Sequence, residues 1–600
     1  MQVLKVIVLI IFLMVIIACG EGSSSSNQDD TQPPQTDSTA LSPPSAQRDW
    51  LTYEHLMSSS YPHYSPIHNE YFMPVGNSSS ALHPFSGTID INTRRLIGAF
   101  EEFYIARDES FKNFPDVDLS FVSDGDALIP LNRNRQISLN DNSYWGVILE
   151  PGKIWSEIDD QGWSRASFPF TFISARRNQG HNGLATFLFN DTQISHLRIQ
   201  IVQETASWFK QDIYAQLSVS YIPKEFVNTT RVKEAYQSEI DNTVELRAWD
   251  KLDIIGSSQL QFNSSLNTSS ISQTGLIKDN VVFLQPCYTR YGEYPYCRWM
   301  RNGAYSITKS LGASIAMMRL AQLYGEQVYD LKIVDYLNVT STHDGWEGVT
   351  FGDTLNMAAG IGDEGTVQGS GNIFADENGP KMETWLGQHS EIAKLNVSFS
   401  YGNYSWGPGQ VVRYNSATTF VLAAALDNYY KSVAGLEAHL WEMITTDVYN
   451  AIGIQHVPML ETNEPGGIRG IAELFHGLYP NVDDIAKLTL LLQNDGIHDG
   501  VQILHPQKVR ESLFKTSNDG LHGWWEDNQY GESKYLNGFW SSPFRSTTGC
   551  FLQVPYMSGF GGNIFAVFPN GAAAFRFADA GSYSPGNMIV QSDRERPICE

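Results

Sequence analysis

Apolar and small residues run almost unbroken over residues 310–324 and stop at Gly325. That pattern predicts one largely buried helix ended by glycine. A second apolar helix is predicted over 417–426. Upstream the period changes. Residues 168–173 and 184–189 are short runs rich in phenylalanine, and His196-Leu197-Arg198-Ile199-Gln200-Ile201 alternates strictly, as a half-buried strand does. Residues 212–221 add another strand, and turns at Asn178-Gln179-Gly180 and Asn190-Asp191 separate the runs. A strand–turn–strand hairpin is predicted over 275–283. No internal repeat is visible. Residues 234–260 are polar and mixed, and read as the connection between a β-rich region and the rest.

The N-terminus follows a different logic. Lys5 precedes an apolar run over 6–17 that ends Ile16-Ile17-Ala18-Cys19-Gly20. The run is short for a membrane span and reads as a signal peptide. Its end resembles the bacterial lipobox, which implies cleavage before Cys19, a lipid anchor on that thiol, and a bacterial lipoprotein of the outer membrane or cell surface facing periplasm or exterior. The stretch that follows, up to about Gln47, is rich in Ser, Pro, Gln, Thr and Asp and reads as a disordered tether. The expected organisation is a signal peptide over 1–18, the tether over 19–48, a β-rich accessory domain over 49–263 and a catalytic domain over 264–600.

Composition is that of a globular chain, 42% hydrophobic and 18% charged, and 600 residues leave room for a large core. The formal charge of −25 argues against nucleic acid as a partner. Apart from Cys19 there are Cys287, Cys297, Cys550 and Cys599. An exported chain favours pairing, with Cys287–Cys297 the first guess and Cys550–Cys599 the second, but the sequence does not choose among the connectivities. No cysteine or histidine pattern points to a metal, and no cofactor is called for. Trp145, Trp155, Trp163 and Trp208 read first as core and second as a polymer-binding surface, and His181 reads as a loop histidine.

The chemistry centres on Ser306. It stands three residues before Lys309 at the start of the long apolar stretch, so the two share a helix face. Burial favours the neutral amine, which can take a proton from Ser306, while free N–H groups at the helix start can stabilise an oxyanion. The same S-x-x-K spacing occurs at Ser207–Lys210 and Ser512–Lys515, but neither opens a long apolar helix. A second proton-handling group is needed across the cleft. Tyr414, delivered by a Pro-Gly turn in Trp406-Gly407-Pro408-Gly409-Gln410-Val411-Val412-Arg413-Tyr414-Asn415-Ser416, is the candidate, with Arg413 as an adjacent positive charge. Nearby amines can pull such a tyrosine towards phenolate.

With these stretches in order, the C-terminal half resembles the serine β-lactamase-like and penicillin-binding-protein-like hydrolases, specifically the class C β-lactamase and family VIII esterase type. Gly352-Asp353-Thr354-Leu355-Asn356-Met357-Ala358-Ala359-Gly360 looks like the family segment that follows S-x-x-K, with Ala359 where Ser or Thr is usual. The 406–416 stretch is similar to the family's tyrosine motif, with Ser416 where penicillin-recognising members carry Asn and Asn415 displaced by one. Asn481 and Asp484 fit a structural helix start of the family, as a cap and an acidic third helical position. His476, just before it, reads chiefly as a structural residue and secondarily as a cleft residue. Met557-Ser558-Gly559-Phe560 occupies the place of the third motif. There the resemblance implies a second oxyanion donor at the Phe560 N–H and substrate contacts from Ser558, Gly559, Met557 and Ser416.

Met557 carries no charge where β-lactam-recognising members have a cation, which favours neutral esters or amides. The resemblance covers roughly 274–580. It implies an α+β fold, an antiparallel sheet flanked by helices plus a helical lobe, preceded here by the β-rich region. It further implies a serine hydrolase that acts on a small-molecule, peptide or polymer substrate through an acyl-enzyme on Ser306. A D-peptidase or β-lactamase acting on cell-wall material is the alternative within that fold. A catalytically retired surface binding protein is the alternative outside it.

Overall fold

In the computed structural model the described residues are 38–59, 65–100, 109–138, 142–205, 210–252, 261–363, 375–377 and 380–599. The signal-like run, Cys19 and most of the expected tether lie outside them, as do Trp208 and Ser207. Residues Ser38–Glu600 form one compact unit. Within the stretch expected to be tether, Ala40 is buried and Arg48 pairs with Glu157 at 2.7 Å. Among the described residues no helix is long and apolar enough to cross a membrane.

A thirteen-stranded antiparallel sheet is built from residues 78–223. Its centre is β1 (Ser164–Ser174), β2 (Gly180–Phe189) and β3 (Leu197–Thr205), paired in that order. One face carries a phenylalanine-rich core that includes Phe168, Phe170, Phe172, Phe187 and Phe189. The alternation over 196–201 predicts a half-buried strand, yet every residue of β3 is buried. The polar face is covered rather than wet. The Ile67 N–H donates to Gln200 Oε1 at 3.0 Å, Gln200 Nε2 donates to Ile67 O at 2.8 Å, and Arg198 donates to Ser65 O at 2.5 Å. Polar side chains on an inner face are tolerated because an overlying segment meets them with backbone groups.

His181 is likewise not in a loop. It is buried on β2, edge-on to Trp145, and burial holds its imidazole down at about 3. Trp145 and Trp155 are core residues, and Trp163 is half-buried.

The second sheet has nine strands. It contains β4 (Ile271–Lys278), β5 (Phe551–Gly559), β6 (Asn563–Val567) and β7 (Ala573–Ala578), in the order β4-β7-β6-β5, all antiparallel. The predicted hairpin is present: β4 turns through Asp279 and Asn280, both at positive φ, into Val281–Leu284. Two consecutive left-handed residues give the hairpin turn whose twist matches its strands. The stretch read as a connection instead holds a helix, Thr229–Asp241, and a strand, Glu245–Ala248, that pairs in parallel with Val281–Leu284 at the sheet edge. The two sheets meet through β3 and β4: Gln203 Nε2 donates to Ile271 O at 3.0 Å and Ser272 Oγ to Glu204 O at 2.9 Å.

Over the second sheet lie the helices. After a wide π-helical turn at Lys309–Ser314 comes α1 (Ile315–Tyr324), buried along most of its length and stopped by Gly325 at φ 93°. A longer helix, α2 (Ser416–Ala434), begins at the Asn415 cap. A third, α3 (Val482–Gln493), starts in a capping box in which Asn481 Oδ1 accepts from the Asp484 N–H and Asp484 Oδ2 from the Asn481 N–H, both at 3.0 Å.

Arg301, Asp484 and Glu150 then join the first sheet to α3: Arg301 donates to Glu150 Oε1 at 2.6 Å and to Asp484 Oδ2 at 2.5 Å, and Glu150 also takes Arg133 at 2.5 Å. Disulfides link Cys287 to Cys297 and Cys550 to Cys599, with Cα atoms 5.9 and 6.6 Å apart.

Candidate active site

Ser306 sits at a sharp corner. Tyr305, immediately before it, has φ 49°, a left-handed conformation that a bulky residue adopts only when its surroundings impose it. The imposing contacts are visible. The Tyr305 N–H donates to Asn178 Oδ1 at 2.5 Å, and Asn178 Nδ2 donates to Leu478 O at 3.1 Å. The Gly303 N–H donates to Thr205 Oγ1 at 2.9 Å, and Asn563 Nδ2 to Gly303 O at 2.9 Å. The corner is therefore held from both sheets. Asn178 lies in the turn between β1 and β2 and was legible only as a turn residue. We expect Asn178→Ala to lower kcat by about 10²-fold in a folded protein, because small misplacements of a reacting group cost that much. Steady-state kinetics beside a urea unfolding curve check it.

Lys309, one turn on, is 1% exposed. Its Nζ lies 2.9 Å from Ser306 Oγ, 2.9 Å from Ser416 Oγ and 3.0 Å from Phe475 O. Burial pulls the amine down to about 8, against the Glu377 carboxylate, which pulls it up. Tyr414 faces the same atoms: Lys309 Nζ stands 4.7 Å from the centre of its ring, and its hydroxyl hydrogen-bonds Ser306. The ring is held by Trp540, stacked at 5.6 Å, and by Tyr535 edge-on at 6.4 Å.

The phenolate expected for Tyr414 is not what this environment favours. Burial first, then Tyr535 and Glu377, push its hydroxyl well above the usual range, and only the Ser306 hydrogen bond works the other way. Arg413 does not help either, because it turns away to Asp376, with Nη2 to Oδ1 at 2.5 Å.

Ser416 is buried at the start of α2, between Lys309 and Glu377, and Asn415 is its neighbouring cap rather than a cleft residue. At the end of β5, Gly559 packs so closely that a Cβ there would come within 2.3 Å of Ala304 O, which brings this strand end beside the Ser306 corner. Phe560 follows, half in solvent, with its ring 5.5 Å from that of Tyr305. Ser558 is half-buried opposite Ile564. Met557 is 1% exposed and belongs to the apolar core that holds Ile307 and Phe565.

His476 stacks on Phe475 at 3.9 Å and bonds Glu473 at 2.8 Å, so it supports the carbonyl that receives Lys309. At the spare S-x-x-K, Ser512 is buried and its hydroxyl donates to Lys508 O at 2.7 Å. Among the described residues no group of three or more His, Cys, Asp or Glu could hold a metal ion.

Glu377 is the residue that sequence reading missed. It lies 39 residues before Ser416, and its Oε1 accepts the Ser416 N–H at 2.5 Å. Nothing in Asp376-Glu377-Asn378-Gly379-Pro380 marks it apart from an acidic turn. The signal would have been a carboxylate on the strand-like partner of the Tyr414 segment, a pairing visible only in three dimensions.

No family model matches the chain, and no curated protein matches it in sequence. Solved structures similar to it include a D-stereospecific amidohydrolase from Streptomyces, at 14% identity and a TM-score of 0.39 over 55% of this chain and 96% of that one. Another is a penicillin-binding protein homologue from Caulobacter crescentus, at 14% identity and 0.37 over 60% and 98%. A third is a family VIII carboxylesterase, at 14% identity and 0.38 over 60% and 97%.

Proposed function

We propose that this protein is a serine hydrolase that cleaves an ester or amide through an acyl-enzyme on Ser306. The observation that carries the reading is the buried Lys309 amine, 2.9 Å from Ser306 Oγ and lowered towards neutrality by burial. Neutral Lys309 takes the Ser306 proton as Oγ attacks the carbonyl carbon. The resulting oxyanion faces backbone N–H groups at the Ser306 corner and the Gly559–Phe560 strand end. Tyr414, a phenol on the other side of Ser306, passes its proton to the leaving group and recovers one from Lys309. Water then releases the acid by the reverse sequence.

The test is hydrolysis of short- and long-chain nitrophenyl esters, with fluorophosphonate labelling alongside, in wild type and Ser306→Ala. Turnover lost by at least about 10³-fold in Ser306→Ala is the expected result. Ester, amide and β-lactam turnover all absent from folded wild type would reject it.

A further inference from the structure

We propose that Glu377 is a positioning residue of this site: bonded to Ser416, its carboxylate terminates a chain Ser306–Lys309–Ser416–Glu377 and holds Lys309 aligned on the nucleophile. The inference rests on the hydrolase reading for its catalytic consequence, but not for its geometry. Each link is short: Lys309 Nζ to Ser306 Oγ at 2.9 Å, Lys309 Nζ to Ser416 Oγ at 2.9 Å, and the Ser416 N–H to Glu377 Oε1 at 2.5 Å. The Ser416 side chain also hydrogen-bonds Glu377.

The carboxylate is delivered by a built structure. Ala375 bridges in parallel with Tyr414, and the Asp376 N–H donates to Tyr414 O at 2.7 Å. Asp376 in turn takes Arg413 at 2.5 Å and the Tyr404 hydroxyl at 2.8 Å. One short segment, clamped to the backbone of the tyrosine motif, thus presents Glu377 to the far side of Ser416.

The electrostatics agree with the geometry. Groups facing Lys309 are Glu377 from this segment, Tyr414 from the stretch just before α2, and His476 with its partners Glu473 and Lys394 behind Phe475. Groups facing Glu377 are Lys309, Asp376, Tyr401 and Tyr414. Of those around Lys309, the Glu377 charge is the one that raises its amine. Burial, the largest effect, holds Glu377 above the usual carboxylate range, against the pull of Lys309 and the Ser416 hydrogen bonds. In its ionised form the carboxylate stabilises the ammonium that forms as Lys309 takes the proton from Ser306.

Glu377→Gln keeps an oxygen for the Ser416 N–H and removes only the charge. In the full-length protein, the acid limb of the kcat/KM profile for a nitrophenyl ester is expected to move down by about one pH unit, and Glu377→Asp to restore part of it. A second readout does not need activity. In ¹³Cε-lysine-labelled Ser306→Ala protein, with Lys309→Met identifying the resonance, Lys309 is expected to titrate near 8, and at least about one unit lower when Glu377→Gln is added.

If Glu377→Gln does not fold, Ser416→Ala breaks the chain one link earlier and is expected to move the same limb. Superimposable profiles with equal titrations would overturn the proposal, as would a change confined to KM, which would make Glu377 a substrate contact. Inactive wild type with a shifted Lys309 titration would sink the hydrolase reading and keep the link. Active wild type with an unshifted titration would do the reverse.

Discussion

Lys309→Met is expected to lower kcat/KM for ester hydrolysis by about 10²–10⁴-fold while leaving the fold intact. The methionine fills nearly the same volume in a site that is 1% exposed, so packing survives while the amine is lost. The pH dependence separates this from a generic defect. In wild type Lys309 is an ammonium below about 8 and cannot accept the Ser306 proton, so kcat/KM rises with pH and levels off above that value. In Lys309→Met that limb disappears, and the remaining activity is flat through pH 8.

The same group leaves a stability signature. Its amine falls from an ordinary 10.5 to about 8 in the folded state, so between those values the unfolded chain binds more protons and stability rises with pH. The rise amounts to about 3 kcal/mol in wild type and is absent in the variant. Urea unfolding midpoints across that window measure it.

Arg301→Met is expected to cost about 3–5 kcal/mol of stability. Arg301 is 1% exposed and donates to Glu150, Asp484 and the Tyr479 carbonyl. Removing it leaves Asp484 buried with only its own capping partner, while Glu150 retains Arg133. An unpaired buried carboxylate, not the lost attraction, is the main term. Adding Asp484→Asn should therefore recover part of the loss, a coupling that a double-mutant cycle in urea reads directly. A cost under about 1 kcal/mol would mean that water reaches the pair. Because Asp484 also starts α3, and α3 follows the segment that carries Phe475, the single variant should lower activity as well.

Much of the site was legible because it is local. Ser306 and Lys309 are one turn apart on an apolar helix, and that spacing alone places their side chains on one face. Asn481 and Asp484 form the capping box their spacing implies. The hairpin at Asp279-Asn280 follows from turn chemistry within a few residues. What was misread depends on partners far away in the chain. The alternation of β3 is that of a half-exposed strand, and only the overlying segment with Ser65 and Ile67 makes its polar face interior. His181 follows a glycine in a turn-like run, but the strand begins at Gly180, four residues before the apolar run over 184–189. Arg413 is adjacent to Tyr414 in sequence, yet neighbours along an extended stretch point to opposite sides, and its partner is Asp376.

By itself, then, the sequence determined the elements and the candidate site's local groups: the buried helix and its glycine stop, the serine and lysine at its head, the tyrosine after a Pro-Gly turn, and the glycine-rich strand end. Each is set by forces acting over a few residues, namely backbone sterics, side-chain periodicity and capping. Tertiary structure decided the protonation and support of those groups. The neutral tendency of Lys309 comes from burial by Phe475, Ser416 and Tyr414, which are brought together from separate segments. Tyr414 remains a phenol because burial, with Tyr535 and Glu377, outweighs its hydrogen bond to Ser306. Glu377 and Asn178, one behind the lysine and one behind the serine, reach the site only through chain pairings whose registers no local pattern records. Electrostatic free energies depend on distance and dielectric in three dimensions, and those are fixed only when the two sheets and the helices close around the same few atoms.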